Sequence, residues 1–166
     1  MPAVRKSRRS VEEGVRAELQ QIRAQVAGVR GSLVATSDGL MVAHDIPDVE
    51  PTQIAALAAA TLAVARRATL ATECGTFREA VARGSDGYLA VYAAGDSAIV
   101  AVVGTSSLNV GMLQHRAREI IERIAANSSQ IGALAAPVRA ANGESAKSTR
   151  SMPRRRSGWT TPSRTS

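Results

Sequence analysis

Aromatic residues are nearly missing from this chain of 166 residues: at 2% they amount to Phe77, Tyr88, Tyr92 and Trp159. A core must therefore be assembled from Ala, Val, Leu and Ile. Cysteine is scarcer still. Cys74 stands alone, which excludes an intrachain disulfide and any site built on several thiolates; it reads as a small buried hydrophobe. His44 and His115 are the only histidines, and neither has a partner at metal-ligand spacing, so no metal site is expected. No run of about 18 apolar residues of the kind a membrane-spanning helix needs is present. The basic start Arg5-Lys6-Ser7-Arg8-Arg9 is not followed by an apolar stretch of signal-peptide type. The expectation is a cytoplasmic protein without a membrane span.

Lysine is also rare: Lys6 and Lys147 stand against 19 Arg. The net charge of +7 is unevenly placed. Residues 1–10 carry four positive charges and no acid. Residues 11–127 hold 10 Arg against 13 Asp and Glu, and residues 128–166 hold seven Lys and Arg against Glu144. The middle of the chain is mildly acidic, which argues against a basic nucleic-acid groove on the folded part. Contact with nucleic acid through the basic ends is the exception left open.

Chemistry-bearing motifs are absent. Gly84-Ser85-Asp86-Gly87 and Gly95-Asp96-Ser97 lack the Lys and the following helix of a phosphate loop, and read as hairpin turns. Asp45, Asp48 and Glu50 precede a helix, whose N-terminus an acidic loop suits. No nucleophile has an adjacent base. No catalytic residue, cofactor or metal is assigned, and the chain is expected not to be an enzyme.

What is present is a pattern. Composition breaks near residue 128, and residues 131–166, rich in Ser, Pro, Gly and Arg, read as a disordered basic tail, as do residues 1–9. Between them, residues 10–130 read as one domain. Ser10-Val11-Glu12-Glu13 is a capping box, and Val15, Leu19, Ile22 and Val26 mark one face of a helix over 11–27. Residues 32–37 and 40–45 form a hairpin about Asp38-Gly39. Pro51 opens a long Ala-rich helix over 51–73. Strands follow over 76–83, 88–93 and 97–103. The last, Ala98-Ile99-Val100-Ala101-Val102-Val103, is apolar on both alternating faces and belongs in the middle of a sheet. The charged strand over 76–83 suits an edge. A helix over 107–127 closes the domain, with Arg118/Glu122 and Glu119/Arg123 as pairs four apart. The order α-β-β-α-β-β-β-α gives an α+β fold in which the first and last helices cover one sheet face and the second helix the other.

The second helix is the most informative element. Ala55 to Thr61 and Ala63 to Ala65 leave it small or apolar nearly all round, whereas a helix with its back to water carries a polar back. Small residues allow a second helix to approach closely.

Several segments together resemble the Roadblock/LC7 domain family over about residues 12–127. They are the hairpin Gly31-Ser32-Leu33-Val34-Ala35-Thr36-Ser37-Asp38-Gly39-Leu40, the Ala-rich helix, Arg83-Gly84 with Gly87-Tyr88-Leu89, and Asn109-Val110-Gly111-Met112-Leu113. The resemblance implies an antiparallel five-stranded sheet in the order 2-1-5-4-3, of profilin-like layout. It implies a non-enzymatic homodimer, joined helix to helix and edge strand to edge strand, that regulates or scaffolds a small Ras-like GTPase. It further implies an actinobacterial type of member, since GC-rich genomes fit the Arg and Ala usage, and with it a place beside a sensor kinase. On this basis Ile54, Leu57, Ala58, Thr61, Ala65, Phe77 and Glu79 are assigned to the dimer interface, and Arg66 and Arg67 to contact with a partner. A small-ligand sensor of PAS-like or profilin-like layout is the alternative; it ranks second because the inward positions are Ala, Val, Ile and Leu.

Removing residues 134–166 is expected to leave a cooperatively melting domain. Limited proteolysis of the whole chain is expected to cut first at Arg150 or at Arg154–Arg156. A truncated protein without a cooperative melt would place the boundary elsewhere.

Overall fold

The structure is a computed structural model and describes residues 2–135. The chain runs α1 (Pro2–Gln25), β1 (Val29–Thr36), β2 (Met41–His44), α2 (Pro51–Ala71), β3 (Glu79–Arg83), β4 (Gly87–Ala94), β5 (Ala98–Thr105), α3 (Val110–Ala126) and α4 (Ser128–Ala135). The five strands form one sheet in the order β2-β1-β5-β4-β3, antiparallel throughout. Residues 136–166, most of the expected C-terminal tail and Trp159 with it, lie outside the described residues.

β5 takes the central place its sequence demands. Ala98 to Val102 are all buried, because alternate side chains enter different cores. Ala98, Val100 and Val102 join the first core with Leu19, Ile22, Leu113 and Ile120 of α1 and α3. Ile99 and Ala101 join the second with Ile54, Ala55, Ala58 and Leu62 of α2. β1, its neighbour, is buried from Gly31 to Thr36 for the same reason. β3, with Arg83, stands at the edge, as expected.

The hairpin between β1 and β2 is tighter than a symmetrical turn. Only Gly39 of the Asp38-Gly39 pair has positive φ, at 87°. Its N–H donates to Thr36 O at 2.9 Å, and the register slips by one residue after Val34. This is a turn closed by a glycine bulge. α3 starts where Asn109 caps it, the side-chain oxygen accepting from Met112 N at 2.9 Å.

Two boundaries differ from the sequence reading. α1 begins at Pro2, through residues read as a disordered tail. The Ser10 capping box lies inside the helix, where Glu12 instead accepts from Arg8 Nε at 2.9 Å, one turn before it. Residues 131–135, read as the start of the tail, belong to α4, and Ile131 is fully buried against the α1–α3 core. The expected pairs Arg118/Glu122 and Glu119/Arg123 are not formed. Arg123 reaches across to α1, donating to both Glu18 oxygens (2.6 and 3.0 Å) and to Gln21 Oε1 (3.1 Å). The Glu18 hydrogen bond pushes the Arg123 pKa up further.

α2 is long and apolar enough to cross a membrane by length and composition alone. In this fold, its Ile54–Ala55–Ala58–Leu62 row is seated on the sheet.

Replacing Ile131 with Ala is expected to cost about 2–5 kcal/mol, the range for emptying a filled core position, while replacing the exposed neighbour Gln130 with Ala stays within about 0.5 kcal/mol. Denaturant melts of the two variants check it. Equal melts would mean that α4 is not part of the domain.

Candidate interaction surface

With one row of α2 on the sheet, the opposite row faces outward. It contains Ala56, Leu57, Ala60, Ala63, Val64, Arg67, Leu70 and Ala71, all exposed. Leu57 is 53% exposed, Val64 70% and Leu70 79%. Fully burying such a side chain stabilises by roughly 1.5–3 kcal/mol. The helix contains no acidic residue, and its charges are Arg66 and Arg67 alone. Contiguous exposed apolar area of this kind marks an interaction site.

The structure divides the sequence-assigned interface. Leu57 lies on the outer row. Ile54 and Ala58 face the sheet and are buried, at 8% and 0% exposure, and Ala65 packs against the same core from a half-buried position. Phe77 is also buried in that core. None of these four belongs to the exposed outer row of α2. Thr61 is half-buried and its hydroxyl donates to Leu57 O at 2.8 Å within the helix. Glu79 lies on β3 opposite Tyr92 and accepts from the amide of Gln114 on α3. Arg67 is exposed, but Arg66 is half-buried and turned toward the end of the sheet, where it donates to Gly95 O at 3.4 Å. The outer residues Ala60, Val64 and Leu70 were not assigned; the bulky row Ile54–Leu62, four-spaced through Ala58, is the signal that would have found them.

β3 pairs with β4 on one side and, among the described residues, ends the sheet on the other. Its Val81 is exposed, and the Arg83 guanidinium sits 5.6 Å from the Tyr88 ring centre. A free edge beside an apolar helix face is a combination that monomers avoid.

The acidic loop before α2 divides its work. Glu50 caps the helix, accepting from Thr52 N at 3.3 Å. Asp45 turns to β1, where one oxygen accepts from Ser32 N (2.6 Å) and Ser32 Oγ (3.0 Å). Asp48 lies 3.9 Å from Arg30. Cys74, expected to be buried, is exposed in the turn after α2, beside the Thr72 hydroxyl at 3.2 Å. Among the described residues no group of His, Cys, Asp and Glu could hold a metal ion.

The model of the Roadblock/LC7 domain matches residues 16–104. The chain belongs to the Roadblock/LC7 family. It is similar to the uncharacterized protein MJ1340 of Methanocaldococcus jannaschii, at 28% identity over 100 residues, 60% of this chain and 87% of that protein. In fold it is similar to the gliding protein MglB of Thermus thermophilus, with a TM-score of 0.65 at 20% identity, over 72% of this chain and 91% of that one. It is similar as well to an MglB in a tetrameric arrangement, with a TM-score of 0.64 at 22% identity and the same two coverages. In this Roadblock/LC7 chain the sheet order and the Ala-rich helix lie where the resemblance implied.

Replacing Ala58 with Arg is expected to abolish the cooperative melt, because a guanidinium cannot be buried against the sheet unpaired. Replacing Ala60 with Arg, on the outer row two residues on, is expected to leave it within about 0.5 kcal/mol for a monomeric chain. Thermal melts at low protein concentration check which row is inside.

Proposed function

We propose that this Roadblock/LC7 chain is a non-catalytic cytoplasmic homodimer that regulates or scaffolds a small Ras-like GTPase, in a bacterial signalling system that includes a sensor kinase. The observation that carries the reading is the apolar outer row of α2 beside the free edge of β3. Two copies related by a twofold axis would bury both features at once, each outer-row contact occurring twice, and β3 against β3 would remove the open edge. The tetrameric arrangement of the similar MglB supports assembly on this fold. The GTPase partner is what the family resemblance implies. A regulator of this kind acts by binding the partner's two nucleotide states with different affinity. Arg67, exposed beside the apolar row, is the charge available to an acidic rim on the partner, and it steers encounter more than it adds affinity.

Light scattering at concentrations on the order of tens of micromolar, where mass action favours assembly, is expected to give a dimer. Val64→Arg is expected to give a monomer that still folds. Titrated with a candidate GTPase loaded with GDP or with a non-hydrolysable GTP analogue, the dimer is expected to prefer one state by roughly five-fold or more. Equal affinity with unchanged exchange and hydrolysis rates would leave a plain scaffold. Absence of binding would defeat the partner assignment.

A further inference from the structure

Away from the outer row of α2, a cleft opens between α3 and the start of β3. α3 packs on β4 and reaches β3 through Gln114, which donates to Glu79. The sheet face carrying Tyr92 and its cross-strand neighbour Glu79 is therefore partly uncovered beside the helix. The opening has a volume of about 550 Å³, inside the range of roughly 300–1,000 Å³ typical of small-molecule sites.

Its wall is charged in both signs. Arg66 comes from α2, Arg78 from the segment before β3, and Arg118 from α3. Glu79, Asp96 and Glu122 are the carboxylates among them. The ion pairs of the described residues are Arg8–Glu12, Arg30–Asp48 and Arg123–Glu18, so none of these six side chains is neutralised by a direct pair. Phe77 and Ile121 supply apolar wall. Tyr92 also lines the cleft and is 4% exposed, and its hydroxyl has no hydrogen-bond partner among the described residues. A buried hydroxyl left unpaired is destabilising, which favours a partner from outside the chain. Burial, and then the charge of Glu79, push this phenol well above its ordinary pKa; it stays a hydrogen-bond donor.

The balance of charge selects the ligand. A simple anion drawn by three guanidiniums is repelled by three nearby carboxylates. A small body that carries both signs can pair with both sets, and each pair is strengthened by its partial removal from water. We propose that the cleft binds a small zwitterion of the amino-acid type. Its carboxylate accepts from Arg78, Arg118 and the Tyr92 hydroxyl, its ammonium donates to Asp96 and Glu122, and its side chain lies against Phe77 and Ile121. A second sheet added in plane at β3 would leave this face uncovered, so the site does not depend on the GTPase reading and is compatible with a dimer.

The test uses the full chain. Each free amino acid is added singly at about 10 mM, far enough above a weak dissociation constant to raise the melt by mass action. Acetate, inorganic phosphate and methylamine serve as probes of one sign. At least one amino acid is expected to raise the melting temperature and to give a saturable calorimetric titration of one site per chain. Arg118→Gln is expected to weaken that binding by about tenfold or more, the scale of a charge-assisted hydrogen bond. Tyr92→Phe is expected to melt at or above the wild type without ligand, since it removes an unpaired hydroxyl, yet to bind at least several-fold more weakly. That opposition of signs is one that a purely structural tyrosine would not produce, and it decides the matter even where Arg118→Gln fails to fold. The proposal is overturned if no amino acid binds, if phosphate or acetate binds as tightly, or if both variants bind like the wild type.

Discussion

A strand with no polar face dictates the rest of this molecule. Ala98 to Val102 bury every side chain, so the sheet must be covered on both sides, and an antiparallel sheet is free to leave one side wet only when its strands alternate. α1, α3 and α4 meet one demand. α2 alone meets the other, which leaves a single helix with one row on the sheet and nothing among the described residues over its back. That the back is Ala, Leu and Val rather than Glu and Lys is therefore a statement about assembly. The central strand creates the need for α2, and the sequence of α2 creates the need for a partner.

The two regions with functional consequence lie where this layering ends. The outer row of α2 is where cover is missing from a helix. The cleft beside Gln114 and Arg118 is where cover is missing from the sheet, since α3 lies mainly on β4 and hydrogen-bonds to β3 through Gln114. One region is apolar and broad, which suits a protein. The other is small, charged in both signs and floored by an unpaired hydroxyl, which suits a metabolite. A chain that carries both can respond to a small molecule without giving up the surface on which it assembles.

The architecture was legible wherever the sequence carries a periodic or a turn signal. The two-faced β5, the Asp38-Gly39 turn, the Asn109 cap and the Val15–Leu19–Ile22–Val26 stripe each have a local cause, and each element lies where that cause puts it. The facing of α2 was not legible to the same degree. A helix that is apolar on all sides gives no period by which to tell inside from outside, so Ile54 and Ala58 were assigned outward when they are the residues that meet the sheet. The ends of the domain failed for a different reason. Ser10 with Glu13 satisfies a capping rule, but Arg8 offers Glu12 an ion pair one turn earlier and the helix runs on through the box. α4 is mostly Ser, Gly and Ala around Ile131, and composition averaged over such a segment hides that buried anchor. The cleft draws its walls from α2, the segment before β3, the β4–β5 turn and α3, a convergence that no stretch of sequence displays.

The contrast between the two sheet faces bears on motion. α1 is tied to α3 by the Arg123 fork on Glu18 and Gln21, and both share their core with Ile131 of α4. α2 has its main contacts with strands, so lifting it breaks no helix–helix seam on the far side. Its backbone amides should thus open to solvent as a separate unit, ahead of those of β5, in the isolated protomer. A partner seated on its back closes that route. Deuterium uptake along α2 then becomes a gauge of occupancy, slow in the assembly and fast in the free chain, and dissociation would loosen one face of the sheet while the other holds its shape.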